Sequence, residues 1–143
     1  CAASSLMRSL VQELVLRRDE VLVMDMEAGI EHLGRATARG VDLLLIVSEP
    51  GQRSADSALR IESMARQIGI TRIAAVANRV RSAADRQFLE QSLPGLDIIG
   101  WIPFSERLCS LDRDGISVLD GLDDHETGVF SSLADRILPE KSS

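Results

Sequence analysis

A chain of 143 residues with 45% apolar content is long enough to bury the core of one domain, and its formal net charge of −6 argues against a nucleic-acid or anionic-membrane surface. Three Phe, one Trp and no Tyr leave few rings on which bases could stack. The longest apolar run, Val41–Val47, is broken by Asp42 and falls well short of the roughly 18–20 residues that span a bilayer.

No secretory leader is recognisable at the start of the chain, and Cys1 and Cys109 do not resemble a disulfide framework, so a cytoplasmic setting is expected. The chain opens on Cys1 rather than Met, which fits a processed or partial sequence. Its basic residues are almost all arginine, and Lys141 is the single lysine.

In chain order, Leu6, Met7, Leu10, Val11, Leu14 and Val15 recur at helical spacing behind Ser4 and Ser5, with Arg17 and Arg18 suited to the helix C-terminus. Val21–Met24 is a short apolar run ending in Asp25, the pattern of a parallel strand covered on both faces. Ile30–Arg39 reads as a short helix stopped by Gly40, and Asp42–Ser48 as a second buried strand. Pro50-Gly51 marks a turn. Ser54 is placed to cap a helix whose apolar face is Ala58, Ile61, Ala65 and Ile68, terminated by Gly69. A third strand, Ile73–Ala77, runs into Asn78-Arg79, and Ser82–Leu93 is helical up to Pro94-Gly95. A fourth strand, Ile98–Ile102, ends at Pro103-Phe104; a short helix near Ser105–Leu111 and a last amphipathic helix with Phe130, Leu133, Ala134 and Ile137 complete the pattern.

Strands alternating with helices over short connections predict a doubly wound parallel α/β domain. In such sheets ligands lie beyond the carboxyl ends of the strands. The residues to examine are therefore Asp25, Ser48-Glu49, Asn78 and Pro103-Phe104. An Asp closing an apolar strand suits Mg²⁺ held near a triphosphate, and Gly29 offers an unobstructed backbone N–H for a γ-phosphate. The same pair equally reads as a helix cap beside a turn glycine. Asn78 suits the edge of a purine, or simply a turn, and Pro103-Phe104 could present backbone groups to the same base or form a rigid strand-to-helix turn. His32 reads as a structural helical histidine, Cys109 as a small buried apolar residue, and His125 lies in an acidic loop.

Val21–Ala38 (V-L-V-M-D-M-E-A-G-I-E-H-L-G-R-A-T-A) resembles the switch II segment of the MinD/ParA-like (SIMIBI) P-loop ATPases. Its D-M-x-A-G-I-E-H-L-x-R-x-T-A string resembles most the CooC branch, the nickel-insertion ATPases that mature carbon monoxide dehydrogenase. V-S-E-P at Val47–Pro50, Asn78-Arg79-Val80 and Ile102-Pro103-Phe104 continue the resemblance in order, over roughly residues 1–121. It implies a Rossmann-like P-loop fold represented from the switch II strand onward, with residues 1–143 as the C-terminal part of one nucleotide-binding domain. Asp25 would order Mg²⁺ and its waters, Gly29 would contact the γ-phosphate, and Asn78-Arg79 with Pro103-Phe104 would hold the adenine of ATP or ADP. Cys1 falls where the second cysteine of the branch's Cys-x-Cys would stand. Two such pairs from two subunits suit Ni²⁺ or Zn²⁺. A homodimer is implied, with carbon monoxide dehydrogenase as client and neither nucleic acid nor membrane as partner.

One departure limits these expectations. The family's phosphate loop ends in Gly-Lys-Thr/Ser and contains a further signature lysine; neither occurs in these 143 residues. The strand carrying that loop belongs beside the Asp25 strand, so a gap with exposed apolar edges is expected, and the chain by itself should not hydrolyse ATP. The alternatives are another MinD/ParA relative with a different cargo, or a non-catalytic α/β interaction module.

Overall fold

The computed structural model describes residues 20–26 and 40–138, apart from the side chain of Leu119. The elements, in chain order, are β1 (Leu44–Ser48), α1 (Gln52–Ile68), β2 (Ile73–Val80), α2 (Ala83–Ser92), β3 (Asp97–Pro103), α3 (Glu106–Arg113), α4 (Val118–Gly121) and α5 (Asp124–Ile137). The strands form one parallel sheet in the order β1-β2-β3. The expected parallel α/β architecture is therefore present, and α4 is an addition that its four residues gave no periodicity to reveal.

β2 is central because its sequence permits burial on both faces. Ile73, Ala74, Ala75, Val76 and Ala77 are all buried, and the three alanines let neighbouring layers approach closely. β1 pairs with it in continuous register from Leu44↔Ile73 to Ser48↔Ala77. The β2–β3 ladder is irregular, with shifts between Ala75 and Val76 and again between Ala77 and Val80.

The core joins Ile46, Ala55, Ala58, Ala65, Leu89, Leu93 and Leu96 to the faces of β2. α1 contributes its alanine stripe and stops at Gly69, whose φ of 101° is the left-handed conformation that glycine adopts without steric cost. There the amides of Gly69 and Ile70 reach back to the carbonyls of Arg66 and Ala65. On β3, Gly100 makes room for Leu133 of α5; a Cβ at Gly100 would stand 2.6 Å from Leu133 Cδ1.

Several boundaries move. The second expected strand begins at Leu44 rather than Asp42, and the fourth covers Asp97–Pro103. β2 extends through Asn78 and Arg79 to Val80, because the Val80↔Pro103 pairing resumes the ladder after the second irregularity. Ser54 does not cap α1: the helix starts at Gln52 behind Gly51, and Ser54 lies inside its first turn.

The largest correction concerns Val21–Met24. Residues 20–26 form no strand, and Val21, Leu22 and Val23 are exposed, Val23 to 83%. A strand needs a partner ladder, and none of the described residues supplies one. Met24 and Met26 nevertheless pack against the core, so side chains alternate about Asp25. β1 is an edge strand among the described residues, with Val47 62% exposed. The expected helices at 6–15 and 30–39 lie outside the described residues.

Candidate functional site

The three parallel strands deliver their last residues to one edge of the sheet, and each strand end is fixed by a different device. At the end of β1, Ser48 is buried, with its Oγ 3.0 Å from Ser54 Oγ. The Glu49 amide donates to the same Ser54 Oγ at 2.9 Å. One hydroxyl inside α1 thus satisfies both a buried side chain and a turn amide, which explains why Ser54 is needed although it is not the cap.

From that turn Glu49 extends its carboxylate to Arg79 at the end of β2, at 3.3 Å. Both partners are about half exposed, so the pair contributes at most about 1 kcal/mol. Its consequence is positional. Arg79 has φ 55°, a left-handed backbone that a non-glycine residue adopts at a steric cost. This turn coincides with the irregularity between Ala77 and Val80, and it leaves Asn78 half-buried at the strand end.

At the end of β3, Pro103 pairs opposite Val80, and the Phe104 amide donates to the Val80 carbonyl at 3.0 Å. Proline is tolerated because β3 is an edge strand in the described sheet and needs no donor on its free side. Asn78, Arg79, Pro103 and Phe104 are thus carried on adjoining ends of two paired strands. Arg81, just past β2, lays its guanidinium 4.2 Å from the centroid of the Phe104 ring.

A further lock sits immediately behind Phe104. Ser105 caps α3 by accepting from the Leu108 amide at 3.2 Å and donates its hydroxyl to Glu126 Oε1 at 2.7 Å. Glu126 is only 7% exposed, and its Oε2 accepts from the Asp123 amide at 3.1 Å within the capping box of α5. Arg107 adds positive charge, 3.3 Å from Asp123 and 3.8 Å from Glu126. A buried carboxylate with hydrogen bonds to both oxygens joins the Pro103–Ser105 turn to the last helix. The spacing Asp123-x-x-Glu126 is that of a capping box, a local signal that the reading of this stretch as an acidic loop passed over. Nothing local announced the bond to Ser105, 21 positions away.

The remaining expected site residues are less connected. Asp25 is exposed and makes no hydrogen bond or ion pair among the described residues. Gly29 and Cys1 lie outside the described residues, as does His32. Cys109 is a free, half-buried thiol rather than a fully buried one. His125 belongs to the first turn of α5 rather than to a loop, and it is exposed. Among the described residues no group of three or more His, Cys, Asp or Glu could hold a metal ion. No described helix is long and apolar enough to cross a membrane.

Comparison with known proteins gives this edge its context. No family model matches the chain. The carbon monoxide dehydrogenase accessory protein CooC of Rhodospirillum rubrum is 38% identical over 142 residues, which are 97% of this chain and 54% of that protein. The chain is CooC-like, of the MinD/ParA type. An uncharacterized ATP-binding protein of Methanocaldococcus jannaschii is 42% identical over 111 residues, 76% of this chain and 43% of that protein. The CooC-like chain therefore spans about half the length of the curated relatives it matches.

Among solved structures, the MinD cell division protein of Aquifex aeolicus superposes with a TM-score of 0.61 at 21% identity, over 80% of this chain and 51% of that one. A chain of the MinC:MinD complex of the same organism gives 0.56 at 19% identity, over 76% of this chain and 48% of that one. At such identities the likeness concerns the fold, which is that of the MinD-type P-loop proteins.

Proposed function

We propose that these 143 residues form the switch and base-binding part of one nucleotide-binding domain in an ATP-dependent accessory protein, which serves carbon monoxide dehydrogenase by inserting nickel. The observation that carries this reading is the 38% identity to CooC along 97% of the chain. The strand-end arrangement supports it chemically. Asn78 brings a carboxamide with donors and an acceptor, and the Pro103-Phe104 turn brings backbone groups and a ring, to adjoining strand ends where a purine edge could be read.

In this reading Asp25 would order Mg²⁺ and its waters beside the phosphates, and Gly29 would meet the γ-phosphate. The phosphate-binding lysines come from residues other than these, since Lys141 is the chain's single lysine. Nickel is the cargo, held by two Cys-x-Cys pairs across a homodimer, with Cys1 as the second cysteine of its pair; among the described residues there is no alternative metal cluster. The M. jannaschii relative, an uncharacterized ATP-binding protein 42% identical over 111 residues, shares the nucleotide chemistry without naming a cargo, and a second reading is that this chemistry serves a cargo other than nickel.

The test uses the polypeptide that carries this chain together with a Gly-Lys-Thr/Ser phosphate loop. Asp25→Ala is expected to lower Mg-ATP turnover at least about a hundredfold while leaving nucleotide binding measurable. Asn78→Ala is expected to weaken ATP binding about tenfold, through loss of a base hydrogen bond in a partly dry site. Undiminished turnover in Asp25→Ala would overturn the switch II role. Nickel binding that survives mutation of Cys1 and of the other cysteine in its Cys-x-Cys pair, with ATP turnover intact, would overturn the nickel-site assignment and shift the choice to the second reading.

A further inference from the structure

Beside the strand ends lies a cleft of about 380 Å³ that shares Pro103 with the proposed base site and otherwise lies outside it. Its walls are the start of α2, the end of β3 and the first turns of α5; Val80, Trp101, Pro103 and Val129 give it an apolar floor, beside the polar Ser82 and His125. Two guanidiniums stand over it. Arg81 lies against Phe104, and Arg86 lies 4.9 Å from the Trp101 ring centroid.

Neither arginine makes an ion pair among the described residues, although acidic side chains outnumber basic ones 22 to 16. The carboxylate nearest in sequence, Asp85, is engaged elsewhere: its Oδ2 accepts from the Arg81 backbone amide at 2.7 Å. Stacking on a ring fixes a guanidinium plane while leaving its in-plane N–H donors available, so less entropy is lost when a carboxylate arrives. The two guanidiniums and the apolar residues beside them thus present positive charge and apolar surface together on an acidic protein.

We propose that this cleft is a docking site for an acidic segment of a partner protein, one apolar side chain entering over Trp101 and Pro103 and carboxylates on either side meeting Arg81 and Arg86. Nucleic acid is disfavoured by the net charge of −6. A free phosphate could satisfy a guanidinium but would leave the apolar floor in water. A segment of the form acidic-apolar-acidic covers both surfaces at once. The proposal shares Pro103 with the base reading but uses no residue assigned to the phosphates or the metal, so peptide binding can be tested with no nucleotide present.

The single tryptophan makes the test direct, because Trp101 lies in the cleft under Arg86. The full chain is titrated with a fluorescein-labelled, tryptophan-free peptide of repeating Glu-Leu-Glu, following Trp101 emission and peptide anisotropy in parallel. Saturable binding is expected by both readouts, and the matching Gln-Leu-Gln peptide should not bind. Arg81→Glu and Arg86→Glu should each weaken binding on the order of tenfold or more, with circular dichroism unchanged. Arg86→Lys, which keeps the charge but loses the planar stack, should fall between. Arg60→Glu on the exposed side of α1 removes the same charge away from the cleft and should change affinity less than about twofold. Equal weakening by Arg60→Glu would reduce the effect to net charge and overturn the proposal. So would the absence of saturable binding. Inorganic phosphate that reproduces the full Trp101 response and displaces the peptide would make the cleft a small-anion site instead.

Discussion

Two strand-end regions of this chain have similar sequence logic and different structural outcomes. At Ile73–Val80 an apolar run ends in polar residues and lies at the centre of a parallel sheet, paired on both sides and buried from Ile73 through Ala77. At Val21–Met24 an equally apolar run ends in Asp25, yet Val21, Leu22 and Val23 face solvent and no ladder forms with any described residue. Composition cannot separate the two, because apolarity makes burial favourable only where another surface is present to receive it. What distinguishes them is partnership: among the described residues β2 has β1 and β3, whereas Val21–Met26 has only the core contacts of Met24 and Met26.

The comparison can be attacked first where burial is deepest. Ala77 is fully buried and pairs with Ser48 on one side and Trp101 on the other. Ala77→Asp places a carboxylate among packed layers with no partner and should cost more than about 4 kcal/mol. That is a large share of the roughly 5–15 kcal/mol that holds a typical domain together. Urea denaturation followed by circular dichroism should show loss of the cooperative transition. A variant that unfolds at the same urea concentration as the parent would mean that β2 is not the centre of the core.

A smaller effect is expected where the strand ends are fixed by polar contacts. Glu126→Ala removes the acceptors of the Ser105 hydroxyl and the Asp123 amide together, so about 1–3 kcal/mol should be lost. The variant should also loosen the Pro103–Ser105 turn, visible as faster amide exchange at Phe104, whose N–H bonds to Val80. Loss of stability without faster exchange at Phe104 would confine Glu126 to capping α5.

How much of this was legible in the sequence follows the same division. Apart from α4, the strands and helices between Leu44 and Ile137 were readable because each signals itself locally: a continuous apolar run, an alanine stripe at helical spacing, a serine before a helix, a glycine after one. Asn78, Arg79, Pro103 and Phe104 could be placed at one sheet edge because parallel α/β order puts successive strand ends there. The role of Ser54 was misjudged because its nearest reading, a helix cap, competes with a tertiary bond to Ser48 that no spacing encodes. The bond from Ser105 to Glu126 was missed for the same reason. The second irregularity of β2 hid the true end of that strand, since Asn78-Arg79 has the composition of a turn while Val80 rejoins the ladder.

The smallest expected effect is the most discriminating. Val23 is 83% exposed, so Val23→Asp in this chain should change stability by no more than about 0.5 kcal/mol. The same substitution inside a paired, two-sided strand would place a charge among apolar neighbours and cost several kcal/mol. The urea midpoint of this variant thus reads directly whether the segment before Asp25 is covered. An unchanged midpoint in the 143-residue chain keeps the contrast with β2. A loss above about 2 kcal/mol would break it, since a solvent-facing valine cannot account for that much. Repeating the measurement in the polypeptide that also carries a phosphate loop sharpens the point. If that loop's strand lies beside Val21–Met26, Val23→Asp becomes costly there while remaining neutral here, and the increase in cost measures how far pairing, rather than apolarity, makes this run a strand.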